Sequence, residues 1–128
     1  MNPIRIEHVN LTVSKPKETA SRLCRLFDWE IRWQGPSPAG GYTVHVGSER
    51  DYLSLYEPPG GLDRSRAPAM SEAGFNHVGV EVEDLDEIER RVRDEGFTPR
   101  DFDDYDPGRR FYFTDDNGID FEVVEYAR

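Results

Sequence analysis

The chain has a single cysteine among its 128 residues, two methionines, two tryptophans, and lysine only at positions 15 and 17. One cysteine excludes an internal disulfide, and Cys24 falls in a predicted amphipathic helix, where a small apolar side chain is buried rather than used as a nucleophile. No apolar run reaches the length of a signal-peptide core or a membrane span, so the expected location is the cytoplasm, with no membrane contact. Positive charge is short as well. Sixteen basic residues face 26 acidic ones, and the net charge of −10 opposes attraction to phosphate backbones and anionic surfaces, which argues against nucleic acid as a partner. The length suits one domain, or two very small modules sharing a core.

What the sequence does have is an internal repeat. Sliding "IEHVNLTVSKPKETASRL" onto "FNHVGVEVEDLDEIERRV" by 69 positions superposes His8 on His77, Val9 on Val78, Val13 on Val82, Glu18 on Glu87 and Arg22 on Arg91. Each copy opens with strand alternation. Val9, Leu11 and Val13, and likewise Val78, Val80 and Val82, line one face, while the histidines lie on the other with Asn10, Thr12, Gly79 and Glu81.

A helix follows each strand. The first is predicted over about 15–28, with Ser14 and Pro16 as start signals and Ala20, Leu23 and Phe27 as its apolar stripe. The second starts at Asp84, which forms a capping box with Glu87, carries Leu85, Ile88 and Val92 on one face, and stops at Gly96. Three strands then complete each half: "WEIRW", "GYTVHV" and "DYLSLYE" in the first, "FTPRDF", "RRFYFT" and "IDFEVVEY" in the second. The stretch "DDNG" reads as a hairpin turn in which Asn117-Gly118 can take positive φ. Glu57 to Gly74 reads as a linker, and "DEGFTPRDFDDYD" as a solvated acidic loop.

The organisation expected is α+β: one domain of two βαβββ modules in tandem, module one over 1–57, a linker over 57–74 and module two over 75–128. Each curved mixed sheet has a helix on its back, and the free faces, with their histidines, are expected to enclose a polar cleft.

At this point the sequence resembles the vicinal oxygen chelate superfamily, which includes glyoxalase I, extradiol dioxygenases, methylmalonyl-CoA epimerase, fosfomycin-resistance enzymes and bleomycin-binding proteins. The resemblance rests on "IEHVNLTV" and "FNHVGVEV" opening the modules and "FYFTDDNGIDFEVVE" closing the second, with Asp116 and Asn117 in place of the usual Pro-Asp of that turn. It spans nearly the whole chain. Carried over position by position, it implies metal ligands at His8, His77 and Glu122, with Ser54 where glyoxalase I-like members have a carboxylate. Two imidazoles and a carboxylate suit iron of the facial-triad kind and some catalytic zinc sites, and iron, manganese, zinc, nickel and cobalt all remain open.

Each residue also has a plain structural reading. A lone strand histidine is usually a packed or hydrogen-bonded residue, and only the recurrence at His8 and His77 raises these two above it. Spacing alone does not separate Glu122 from Glu125. Tyr112 matches a site tyrosine of extradiol and fosfomycin-type relatives, yet an aromatic there also packs well in a sheet. Asn10, Ser54 and Arg110 are the substrate-binding candidates, Arg109 and Arg110 being able to hold a carboxylate. His45 finds no partner in the repeat and reads as packed or exposed.

The resemblance thus implies a divalent-metal-dependent enzyme acting on a small oxygenated substrate that chelates the ion, with extradiol-type dioxygenase chemistry slightly preferred over lyase or isomerase chemistry. A fosfomycin-opening transferase ranks lower for want of cationic residues. The alternative is a metal-free drug- or metabolite-binding protein of the bleomycin-resistance type. A homodimer is expected by the same analogy.

Overall fold

The computed structural model describes residues 5–38, 40–62, 75–105 and 108–126. Contacts divide the chain into two units, Met1–Ser65 and Arg66–Arg128, each with the element order βαβββ. Residues 63–74 of the expected linker lie outside the described residues.

In the first unit, β1 (His8–Thr12) leads to α1 (Pro16–Phe27), then β2 (Glu30–Pro36), β3 (Tyr42–Gly47) and β4 (Tyr52–Glu57). The sheet order is β1-β4-β3-β2, with β1 parallel to β4 and the other pairs antiparallel. Alternation decides the faces. Leu11, Val13, Val44, Val46, Leu53 and Leu55 are buried on the side that α1 covers, together with its Ala20, Leu23 and Leu26. Each buried valine or leucine among them stabilises the fold by roughly 1.5–3 kcal/mol. The helix begins with Pro16 at N1, where no amide hydrogen is needed, and ends at Asp28 in the left-handed conformation, whose N–H bonds back to the Cys24 carbonyl. Leu26, rather than the expected Phe27, completes the buried stripe, and Phe27 packs instead on Trp29 at 4.9 Å. Gly41 holds φ +85°, and a Cβ there would run into the Glu57 carbonyl, so the β2–β3 turn requires glycine.

The second unit repeats the plan with β5 (Val78–Glu81), α2 (Leu85–Asp94), β6 (Arg100–Tyr105), β7 (Gly108–Thr114) and β8 (Asp120–Tyr126), in sheet order β5-β8-β7-β6. Its core is aromatic. Phe111, Phe113 and Phe121 are fully buried with Val80 and Val123 beneath Leu85, Ile88 and Val92, and the Phe113 and Phe121 rings stack at 5.0 Å. Asp84 caps α2 by accepting from Glu87 N at 3.1 Å, but the Glu87 carboxylate turns to Arg90 and Arg91, so only one half of the expected capping box forms. The acidic run is not a loop throughout: β6 passes through it, with a register shift between Arg100 and Asp103 where Asp101 takes φ 54°.

In the turn after β7, only Gly118 has positive φ, at 79°; Asn117 does not share it. The reason is Asp115, whose buried carboxylate accepts from Asn117 N and Ile119 N at 2.9 Å each and holds a tight Asx turn. Among the described residues, no helix is long and apolar enough to cross a membrane.

Candidate functional site

In the second unit, the polar face gathers around Glu122. Residues of β8 alternate, which sends Phe121 and Val123 into the core and Glu122 to the opposite face. His77, just before β5, reaches the same place: its Nε2 lies 3.2 Å from Glu122 Oε1. The other carboxylate oxygen accepts from Arg110 Nη1 at 2.8 Å and from the Tyr112 hydroxyl at 3.0 Å, both on β7. Tyr112 also meets His77 edge-on, with ring centroids 5.7 Å apart. Burial alone pushes Glu122 up, but the hydrogen bonds from Arg110, Tyr112 and His77 outweigh it and hold the carboxyl below the usual carboxylate range.

Glu125, the competitor that spacing could not dismiss, serves the opposite face. It accepts from the Leu85 amide at the start of α2 at 3.0 Å and pairs with Arg109 at 3.1 Å. Arg109 and Arg110 are thus both engaged by carboxylates of the chain itself.

The imidazole of His77 is fixed by its neighbour. Nδ1 lies 2.8 Å from the Asn76 side-chain oxygen, which can only accept, so Nδ1 carries the hydrogen. A neutral ring then turns a lone pair at Nε2 toward the Glu122 carboxylate. As an imidazolium the ring donates its Nε2 hydrogen to that carboxylate at 3.2 Å; as a neutral ring it leaves two acceptors there, which a shared cation would satisfy. The spacing suits a cation. Neighbouring donors around an ion with bonds of about 2.1 Å stand about 3.0–3.4 Å apart, depending on whether the geometry is octahedral or tetrahedral. His77 and Glu122 therefore fit two neighbouring ligand positions, with Asn76, Arg110 and Tyr112 as the outer partners that orient them. Within either unit, among the described residues, no three His, Cys, Asp or Glu side chains gather into a larger ligand set.

In the first unit, His8 repeats the local pattern. Its Nδ1 lies 3.0 Å from Glu7 Oε1, as His77 does from Asn76, and Glu7 and Asn76 are the repeat-related residues preceding each histidine. The hydrogen bond to His8, reinforced by Tyr52 and Arg32, holds the Glu7 carboxyl down despite some desolvation. A row of rings runs across the sheet: His8 stacks on Tyr52 at 4.9 Å, Tyr52 meets His45 at 4.6 Å, and His45 meets Trp33 at 5.1 Å. Burial, with His8 and Arg32 adding, pushes the His45 imidazole down.

Ser54 is buried on this face, paired across the strands with Asn10 on one side and His45 on the other. Glu122 is paired with Gly79 and Tyr112 in the same way. Asn10 and Gly79 are equivalent in the repeat, so Ser54 is the register counterpart of Glu122, and His45 that of Tyr112. The sequence reading missed the second correspondence. Its signal was available: both residues sit on the third strand of their unit, on the polar face.

The chain matches the model of the Glyoxalase/Bleomycin resistance protein/Dioxygenase superfamily over residues 5–123 and belongs to that family. Among solved structures, it is similar to a glyoxylase/bleomycin resistance protein/dioxygenase domain from Frankia sp. EAN1pec, with 21% identity, a TM-score of 0.81, and coverage of 99% of this chain and 95% of that one. A glyoxalase family protein from Enterococcus faecalis gives 20% identity and a TM-score of 0.74 over 94% of this chain and 97% of that one. The fosfomycin resistance protein FosX from Listeria monocytogenes, crystallised with Mn(II) and sulfate, gives 17% identity and a TM-score of 0.70 over 99% and 95%. At these identities the likeness is one of fold. No curated protein sequence matches the chain.

Proposed function

We propose that the protein is a divalent-metal-dependent enzyme acting on a small oxygenated substrate, with extradiol-type ring cleavage preferred over lyase or isomerase chemistry. The observation that carries the metal reading is the 3.2 Å approach of His77 Nε2 to Glu122 Oε1, with His77 oriented from behind by Asn76 and Glu122 by Arg110 and Tyr112. His8, carried over from the repeat, is the third donor of the proposal, and two imidazoles with one carboxylate support the preference for dioxygenase chemistry. A bound divalent ion would supply Lewis-acid polarisation of adjacent substrate oxygens. The residues of the chain do the rest. Arg110 keeps Glu122 ionised, and Tyr112 holds a hydroxyl beside that carboxylate, where it can orient a substrate oxygen. Asn76 keeps the hydrogen of His77 on Nδ1. A homodimer belongs to the proposal by analogy with the family, and sedimentation equilibrium tests it.

The second reading is a metal-free binding protein, favoured by the Arg110–Glu122 ion pair, which neutralises the carboxylate without any ion. Elemental analysis of protein purified without added metal or chelator separates the two. The enzyme reading expects a stoichiometric divalent ion in the wild type and its loss in His77→Ala and Glu122→Ala. Equal metal content in all three leaves the binding-protein reading.

A further inference from the structure

We infer that Glu7 is the positioning residue of His8: together with Tyr52 it keeps the imidazole hydrogen on Nδ1 and fixes the plane of the ring, so that the Nε2 lone pair is presented as a ligand donor. The inference rests on the metal reading for what Nε2 would meet, and on the first unit alone for its geometry.

That geometry is a closed triangle. Glu7 Oε1 lies 3.0 Å from His8 Nδ1 and accepts from the Tyr52 hydroxyl at 3.4 Å, while the Tyr52 ring stacks on the imidazole at 4.9 Å with the two planes 16° apart. Strand pairing sets the corners. His8 lies opposite Tyr52 across the β1–β4 pair, and the Tyr52 amide donates to the Glu7 carbonyl at 3.1 Å. The phenol is itself held, with Arg32 over its ring at 4.5 Å and His45 tilted against it at 4.6 Å. These additional contacts decide the matter, because Glu7 and His8 are each about half exposed, and a lone ion pair at such exposure contributes little. Two donors on one carboxylate oxygen, with a ring stacked between them, restrict an imidazole that a single surface hydrogen bond would leave free to turn. A carboxylate oxygen only accepts, so the shared hydrogen belongs to Nδ1, and a neutral ring carries its lone pair on Nε2.

The second unit solves the same problem with other residues. His77 has the Asn76 amide where His8 has Glu7, and the register that makes Ser54 the counterpart of Glu122 makes Asp120 the counterpart of Tyr52. Asp120 accepts from Arg100 and Thr114 on its own sheet. Of the two histidines, His8 is therefore the one with a charged acceptor at Nδ1. A carboxylate behind an imidazole raises its strength as a ligand, so the repeat supplies two unequal donors.

The test uses the full chain, first in chelator. Long-range ¹H–¹⁵N correlation spectra of the imidazoles at about pH 9, above the usual histidine range, report which nitrogen bears the hydrogen. His8 should be in the Nδ1–H form in the wild type and become a mixture of both forms in Glu7→Ala and, to a smaller extent, in Tyr52→Leu, with His77 unchanged in both variants. Calorimetric titration with Mn(II) follows. Glu7→Ala should weaken binding by about tenfold or more. Asp51→Asn, which removes a charge of the same unit that is engaged by Ser48 instead, should stay within about twofold of the wild type. An Nε2–H or evenly mixed His8 in the wild type, a tautomer ratio indifferent to Glu7→Ala, or equal losses of affinity in Glu7→Ala and Asp51→Asn overturns the inference. A wild type that takes up no Mn(II), with the tautomer results as expected, supports the positioning role and counts against the metal reading only.

Discussion

Ser54 and Glu122 occupy the same register position in two sheets of one plan, Ser54 beside Asn10 and Glu122 beside Gly79. Around Glu122 the second sheet sets Arg110 and Tyr112; in the corresponding places around Ser54 the first sheet has Thr43 and His45. One copy has concentrated charge at this point, and the other has removed it.

Ser54→Glu should partly reverse that difference. A carboxylate introduced at so buried a position, with threonine where the other sheet has arginine, should cost about 2–3 kcal/mol in chelated protein. Added Mn(II) should recover much of the loss, since a ligand that binds only the folded form raises stability. Urea denaturation with and without Mn(II) reads both effects, and calorimetric titration should show tighter binding than the wild type. A variant as stable as wild type in chelator, or insensitive to metal, would show that the position does not have this character.

Arg110 and Glu122 should behave as a coupled pair. Arg110→Met strands a carboxylate that is 14% exposed and should destabilise the protein by about 2–4 kcal/mol. The double variant Arg110→Met with Glu122→Met should regain most of it, giving a coupling energy well above about 1 kcal/mol in a double-mutant cycle. Additive losses would mean that the two side chains act separately.

Acid should act on α2 through Glu87. The hydrogen bond from Arg90, aided by Arg91 against some desolvation, lowers its carboxyl from 4.5 to about 2. The folded value lies below the unfolded one, so the ionised group favours the folded state. That contribution is whole above pH 4.5 and is lost as the pH falls toward 2. The stability difference between wild type and Glu87→Gln, followed by urea denaturation, should therefore be constant near neutrality and shrink through that window. A difference independent of pH would assign the effect to something other than charge.

The turn after β7 depends on one carboxylate. Asp115→Ala removes the acceptor of the Asn117 and Ile119 amides and should cost about 2–3 kcal/mol. Gly118→Ala, forced to φ 79°, should cost about 1–2 kcal/mol. Thermal unfolding of the two variants ranks them, and a larger effect at Gly118 would contradict the assignment of the turn to Asp115.

Much of this was legible in the sequence because the relevant physics is local. Alternation at Leu11 and Val13 is readable without tertiary knowledge, as is the cap at Asp84, whereas Val9, expected on the same packed face, is 42% exposed on the edge strand β1. Other features depend on what a residue meets. Glu122 and Glu125 are three apart on one strand, and only the identity of the two faces, histidine on one and the start of α2 on the other, separates them. His45 found no partner because the repeat does not keep its spacing: 69 between His8 and His77 becomes 68 between Ser54 and Glu122 and 67 between His45 and Tyr112. A fixed slide loses the correspondence that strand register restores. Asn117 was given positive φ on residue type, whereas a carboxylate two residues earlier fixed its backbone otherwise.

Each unit also has a built-in order of assembly. Strands β2, β3 and β4 follow one another as antiparallel neighbours, and so do β6, β7 and β8, but β1 and β5 must wait for a parallel partner at the far end of the unit, with His8 beside Tyr52 and Val78 beside Phe121. Closing that long loop has a larger entropic cost than folding a hairpin, so these two seams join late and part early. The first strand of the unit is therefore the one whose amides should exchange soonest with deuterated water. His8 rides on that seam in one unit, and His77 stands at its threshold in the other, so the lifetime of the histidine positions is set by the slowest pairing in the fold.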